Sequence, residues 1–165
     1  MSLQSRAVTM TKQMIQIEST DPGTYENAMA DWITTQLAPY PNVRLSRQEV
    51  LPGRPNLIAE LTGDPSLPAL VMICHMDTVV VGDGWTLPPF DAIEKDGKIY
   101  GRGACDMKSG LACCLSAFQY AAETLQTSGK TPKQTLKLIC SMDEEDFMRG
   151  SEACIQAGWV TDHDW

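Results

Sequence analysis

Three short stretches combine imidazole and carboxylate groups in a way that suits a divalent cation. They are His75-Met76-Asp77, Asp106 within Gly101-Arg102-Gly103-Ala104-Cys105-Asp106-Met107-Lys108-Ser109-Gly110, and Asp143-Glu144-Glu145-Asp146. Mixed imidazole and carboxylate ligands serve several divalent ions. In His75-x-Asp77 the two side chains fall on one side of an extended chain, so the carboxylate can accept the far ring N–H, fix the tautomer and raise the basicity of a ligating nitrogen. The glycines at 101 and 103 and the run Lys108-Ser109-Gly110 point to a backbone around Asp106 that passes close to something. The four consecutive carboxylates at 143–146 repel one another unless a cation lies among them. Each stretch also has an ordinary explanation when read singly: a polar pair at a strand end, a helix N-cap at Asp106, a solvated acidic turn. The three together favour a common site.

The surrounding elements must bring these stretches together. Leu3, Ala7, Met10, Met14 and Ile17 recur at steps of three and four, predicting an amphipathic helix broken by Ser19-Thr20-Asp21-Pro22-Gly23. A second helix is expected from Thr24, as N-cap, to about Leu37, with Ala28, Trp32, Ile33 and Leu37 on one face and Pro39 and Pro41 beyond it. Strands are expected over Val43–Val50, Asn56–Leu61 and Ala69–Cys74, the last read as buried and central. Asp96-Gly97 between two short alternating runs predicts a hairpin over 91–100. Leu111, Leu115, Phe118, Ala122 and Leu125 mark a helix ending near Ser128-Gly129, followed by a strand over Leu136–Met142 and a short helix from Arg149 to Ala157. Alternating strands and helices predict an α/β three-layer sandwich, a mixed and mostly parallel sheet flanked by helices. Ligands of such sheets gather at the carboxyl ends of strands, where His75, Asp77, Glu144 and Glu145 fall and Asp106 can join them.

Composition limits the partners. Among 165 residues, 21 acidic against 13 basic side chains leave a net charge of −8, which repels nucleic acid and anionic membrane. No apolar run is long enough to span a bilayer and the first residues lack the apolar centre of a signal peptide, so a cytoplasmic location is expected. Six cysteines without a CxxC pair read as reduced, mostly packed thiols.

In this order and spacing, His75-Met76-Asp77-Thr78-Val79 followed by Val81-Gly82-Asp83-Gly84-Trp85, then Gly101–Lys108, then Asp143-Glu144-Glu145 with Gly150-Ser151-Glu152 behind it, the chain resembles the dinuclear zinc family of succinyl-diaminopimelate desuccinylase, acetylornithine deacetylase and glutamate carboxypeptidase. The resemblance implies a zinc-exopeptidase-like fold and two divalent ions, zinc first, cobalt or manganese as alternatives. It makes His75 a ligand of one ion, Glu145 a ligand of the other, and Asp106 the bridge between them. Asp77 orients His75, Glu144 is the general base, and the peptide Asp106-Met107 is cis. The implied reaction is hydrolysis of an amide bond in a small N-acyl amino acid or peptide.

The family pattern includes a further acidic ligand, a second histidine, and a lid or dimerisation domain that these residues do not contain; His163 lies too early for either missing ligand and reads as a solvated residue. The expectation is therefore that residues 1–165 are the N-terminal portion of a catalytic domain whose C-terminal half and lid are absent. Each ion would keep only two protein ligands, giving poor metal affinity and weak or no activity. Exposed apolar surface and self-association are expected with it. The alternatives are a non-catalytic α/β binding or vestigial module that retains the motifs, and a purely structural acidic domain in which His75, Asp106 and Glu145 lie apart.

Overall fold

The three-and-four spacing near the N-terminus folds as a helix. In the computed structural model, which describes residues 2–165, α1 spans Leu3–Ile15 and buries Met10, Met14 and Ile15. After the short strand β1 (Thr20–Asp21), helix α2 covers Asn27–Leu37 and buries Met29, Ala30, Ile33 and Leu37. It starts later than a Thr24 cap would place it, and its buried stripe is turned so that Ala28 is exposed. Glu26 stands at the N-cap position without capping, because its carboxylate is taken by Arg54, whose Nε donates to it at 2.9 Å.

The main sheet has the order β2-β3-β8-β4, formed by Arg44–Leu51, Arg54–Leu61, Leu136–Ser141 and Leu70–His75 respectively. It is mixed, but not mostly parallel. Strands β2 and β3 form an antiparallel hairpin across Pro52-Gly53, β3 and β8 are antiparallel, and only β4 and β8 run parallel. Strand β4 is also not central: it borders the sheet, with Leu70 51% and Ile73 48% exposed, whereas every residue of β3 is buried. An apolar run alone cannot distinguish the two positions, since an edge strand can carry the same residues. Trp165 reaches the outer edge of β4 at its start, donating to Ala69 O at 2.8 Å and accepting from Val71 N at 2.7 Å.

Helices cover both faces and make three layers. On one side Met14, Met29, Ile33, Leu115 and Phe118 pack with Leu57, Ala59 and Leu138 of the sheet. On the other, Cys154 of α4 (Arg149–Gln156) packs with Ile58 and Ile139, joined by Trp159 and Val160. Between β4 and β8 the chain forms β5 (Thr78–Val79), parallel to β1, and the hairpin β6 (Ile93–Lys95) and β7 (Lys98–Tyr100). Asp96 and Gly97, with φ of 53° and 72°, supply the positive angles a two-residue hairpin turn requires. The long helix α3 (Ser109–Ser128) ends at Gly129 in the left-handed conformation. All six cysteines are free; Cys74, Cys140 and Cys154 are buried as expected, while Cys105 and Cys113 face solvent. Among the described residues no helix is long and apolar enough to cross a membrane.

Candidate metal centre

Because β4 and β8 run parallel with His75 opposite Ser141, their carboxyl ends emerge together and the acidic loop 143–146 leaves the sheet beside His75. Asp106 arrives from the other direction, on the irregular turn Ala104–Lys108 that follows Gly103 (φ 76°). The Asp106-Met107 peptide is cis. Asp106 does not cap α3, which has no side-chain cap; its carboxylate is 75% exposed and turned towards His75. The imidazole Nε2–H donates to Asp106 Oδ1 at 3.0 Å, with Glu144 Oε2 at 3.7 Å from the same nitrogen. Ligand atoms of His75, Asp106 and Glu145 all lie within 4.8 Å of one another. All five residues singled out in the sequence thus meet at one end of the sheet, whereas His163 is exposed elsewhere.

Asp77 does more than its spacing suggests. His75 Nδ1–H donates to the Asp77 backbone carbonyl at 3.0 Å, and the Asp77 carboxylate lies 3.6 Å from the same nitrogen. That carboxylate also accepts the backbone N–H of Glu144 at 3.1 Å and of Glu145 at 2.9 Å, so one buried aspartate fixes both the ring and the acidic loop. The loop has two further anchors that sequence reasoning missed. Asn56 Oδ1 accepts from Met142 N at 3.0 Å while its amide donates to Gly150 O at 2.8 Å, and Glu26 Oε1 accepts from Asp143 N at 3.0 Å. A signal for Asn56 was present, since an amide directly before the apolar run Leu57-Ile58-Ala59 must find buried partners.

The electrostatics suit a cation. Burial alone would lower the pKa of His75, but its bonds to Asp77 and Asp106 outweigh it and raise it to about 9. Burial, together with the charges of Asp106, Asp77 and Glu144, holds the Glu145 carboxyl above its ordinary range against the pull of His75. Asp77 sits below its range: burial opposes ionisation, but His75 and the two backbone N–H groups more than compensate. Among the described residues no lysine or arginine pairs with Asp106, Glu144 or Glu145. The donor set therefore fits a divalent ion in both chemistry and convergence.

Residues 71–165 match the family described as peptidase family M20/M25/M40. A probable succinyl-diaminopimelate desuccinylase from Staphylococcus aureus (strain MRSA252) is 39% identical over 113 residues, 67% of this chain and 26% of that protein. A succinyl-diaminopimelate desuccinylase from Gluconacetobacter diazotrophicus is 46% identical over 92 residues, 55% of this chain and 22% of that protein. Among solved structures, a dipeptidase from Saccharomyces cerevisiae superposes with a TM-score of 0.69 at 18% identity, over 93% of this chain and 35% of that one. A Bacillus subtilis protein described as a dinuclear metal binding peptidase from the M20 family gives a TM-score of 0.62 at 17% identity, over 98% and 41% of the two chains. At such identities the structural likeness speaks for the fold. The chain spans about a quarter of the length of the curated relatives it matches.

Proposed function

The chain belongs to peptidase family M20/M25/M40, and from that premise we propose that it supplies the N-terminal part of the catalytic domain of a metal-dependent hydrolase that cleaves an amide bond in a small N-acyl amino acid or peptide. The observation that carries this is the convergence of His75, Asp106 and Glu145 on one point with no lysine or arginine among them. In this reading His75, Asp106 and Glu145 would hold two divalent ions, zinc first and cobalt or manganese as alternatives, with Asp106 as the residue both would share. When bound, such ions polarise the amide carbonyl and bring the pKa of water towards neutrality.

The chain's own residues do the rest. Asp77 takes the Nδ1 side of His75 and leaves Nε2 facing the site. Through Glu144 N and Glu145 N it also holds the acidic loop still. Glu144, partly exposed and near Nε2 of His75, is the group that accepts the proton of the attacking water and returns it to the leaving amine. Names of the relatives, desuccinylase and dipeptidase, support an acylated amino acid or short peptide as substrate class. Six free thiols support a reducing, cytoplasmic compartment. Exposed Leu70 and Ile73 on the β4 edge support self-association, which a monomer by light scattering at high concentration would refute.

The alternative reading, a binding or vestigial module without catalysis, draws on the small ligand count: with Asp106 shared, each ion has two protein ligands where zinc sites commonly keep three or four. A zinc titration of this chain against Asp106→Ala separates the readings. Binding by the chain that disappears in the variant is expected, and hydrolysis of N-succinyl or N-acetyl amino acids with added zinc or cobalt then supports the enzyme. Absence of binding in both proteins overturns the metal reading.

A further inference from the structure

Lys108 is among the largest fully buried side chains of the molecule, at 1% exposure, and forms no ion pair among the described residues. Its Nζ donates to the carbonyls of Met14 at 3.0 Å and Ile17 at 2.7 Å. These belong to the end of α1 and the residues just past it, where the helix dipole favours a cation; Met14 O also accepts the Ile17 N–H at 3.1 Å. The stem of Lys108 runs alongside Gly103: a β-carbon added there would sit 3.2 Å from Lys108 Cδ and 2.6 Å from Thr78 Cγ2. The Lys108 N–H donates to Gly103 O at 2.9 Å and closes the turn that carries Asp106. Thr78, which follows Asp77 in sequence, donates its N–H to Ser19 O at 3.0 Å, so β5 and the exit of α1 meet at the same place. One buried lysine therefore joins the end of a helix to the turn bearing Asp106, and that turn packs beside the strand next to Asp77.

Burying this ammonium costs several kcal/mol on a general scale, which the charge of Glu18 only partly offsets, and an apolar residue would fill the same space without that cost. What the ammonium adds is direction, because two carbonyls fix where the stem, and with it the turn, must lie. We propose that Lys108 is a positioning residue that sets the reach of Asp106 towards His75. The inference rests on the reading of His75, Asp106 and Glu145 as metal ligands only for its effect on metal affinity, not for its effect on the His75–Asp106 contact.

The test compares wild type, Lys108→Met and a control of lowered stability remote from the site, Phe118→Leu, in two measurements. In zinc competition against a chromophoric chelator, Lys108→Met is expected to lose about 10- to 100-fold in affinity, the range typical of residues that orient metal ligands, while Phe118→Leu keeps wild-type affinity. In ¹H–¹⁵N spectra of metal-free protein, Lys108→Met is expected to lose the slowly exchanging His75 Nε2–H signal held by Asp106 and to keep the Nδ1–H signal held by Asp77. The exposed His163 supplies no such signal. Wild-type affinity and both ring signals in Lys108→Met would overturn the proposal. Wild type that binds no zinc would overturn the metal reading, and the ring signals would then decide the role of Lys108 by themselves. Should Lys108→Met not fold, Lys108→Gln is read in the same way, since its shorter stem ends short of the two carbonyls.

Discussion

The loop 143–146 feeds two clusters of carboxylates that differ in the cations they meet. On one side Asp143 turns inward and joins Asp21 and Glu26 around Arg54, whose Nη2 lies 2.5 Å from each of those two and 3.3 Å from Asp143. Arg149 adds a second guanidinium, its Nε 2.6 Å from Asp143, and Tyr25 stacks on Arg54 at 4.2 Å. On the other side Glu144 and Glu145 face Asp106, with the His75 ring as the one group able to carry positive charge. The same loop accordingly holds a carboxyl pushed down to about 2, chiefly by its bond to Arg149, and another held above its ordinary range by burial and like charge. Carboxylates that bring their own cation have no ligand to offer. Those that meet only an imidazole, itself a ligand once its proton leaves, are open to an ion from solution, which is why only one of these clusters reads as a metal centre.

If that contrast is right, removing the internal cation has the largest effect. Arg54→Met leaves Asp21 and Glu26 buried without their counter-charge, while Asp143 keeps Arg149, and should cost about 3–5 kcal/mol in urea unfolding. A loss below about 1 kcal/mol would mean that the cluster is solvated and the contrast false. Zinc should act on the other cluster alone. At about 100 times its Kd it should add about 2.7 kcal/mol to wild type, reversed by a chelator and absent in Asp106→Ala. Equal stabilisation of Asp106→Ala would place the ion elsewhere.

Gly150→Ala strikes the scaffold shared by both clusters. Its new β-carbon would lie 2.3 Å from Met142 O and 2.6 Å from Asn56 Oδ1, and overpacking of this kind costs about 1–3 kcal/mol. Because Asn56 also holds Met142 N at the root of the acidic loop, this variant should lower zinc affinity as well as the unfolding midpoint. A drop in the midpoint alone would show that the loop is held well enough by Asp77 and Glu26.

The elements were legible in the sequence where periodicity and punctuation were strong: α1, α3, the Asp96-Gly97 hairpin and α4 fall within a few residues of their expected bounds. The convergence of His75, Asp106 and Glu145 was legible because each stands at a strand end or glycine-rich turn. The edge position of β4 was not, since pairing order leaves no trace in one strand's composition. Nor was the wiring beneath the site. Arg54 finds Glu26 at a separation of 28 residues, Lys108 finds Met14 at 94 and Asp143 finds Glu26 at 117, and no local pattern encodes contacts of such range. A buried lysine and a run of acids look like solvated charge until the fold supplies their partners.

The smallest effect is the one whose sign separates the clusters. In metal-free protein Glu145→Gln removes one charge from a group whose ionisation burial and then like charges disfavour against the pull of His75, so it should raise stability slightly, by at most about 0.5 kcal/mol, as for a partly exposed site. Asp143→Asn removes a charge that two guanidinium groups favour, so it should lower stability. The pair is read by urea unfolding with chelator present. A loss of stability in both variants would mean that Glu145 already has a partner in the folded chain, and that the site facing His75 is as self-sufficient as the one around Arg54.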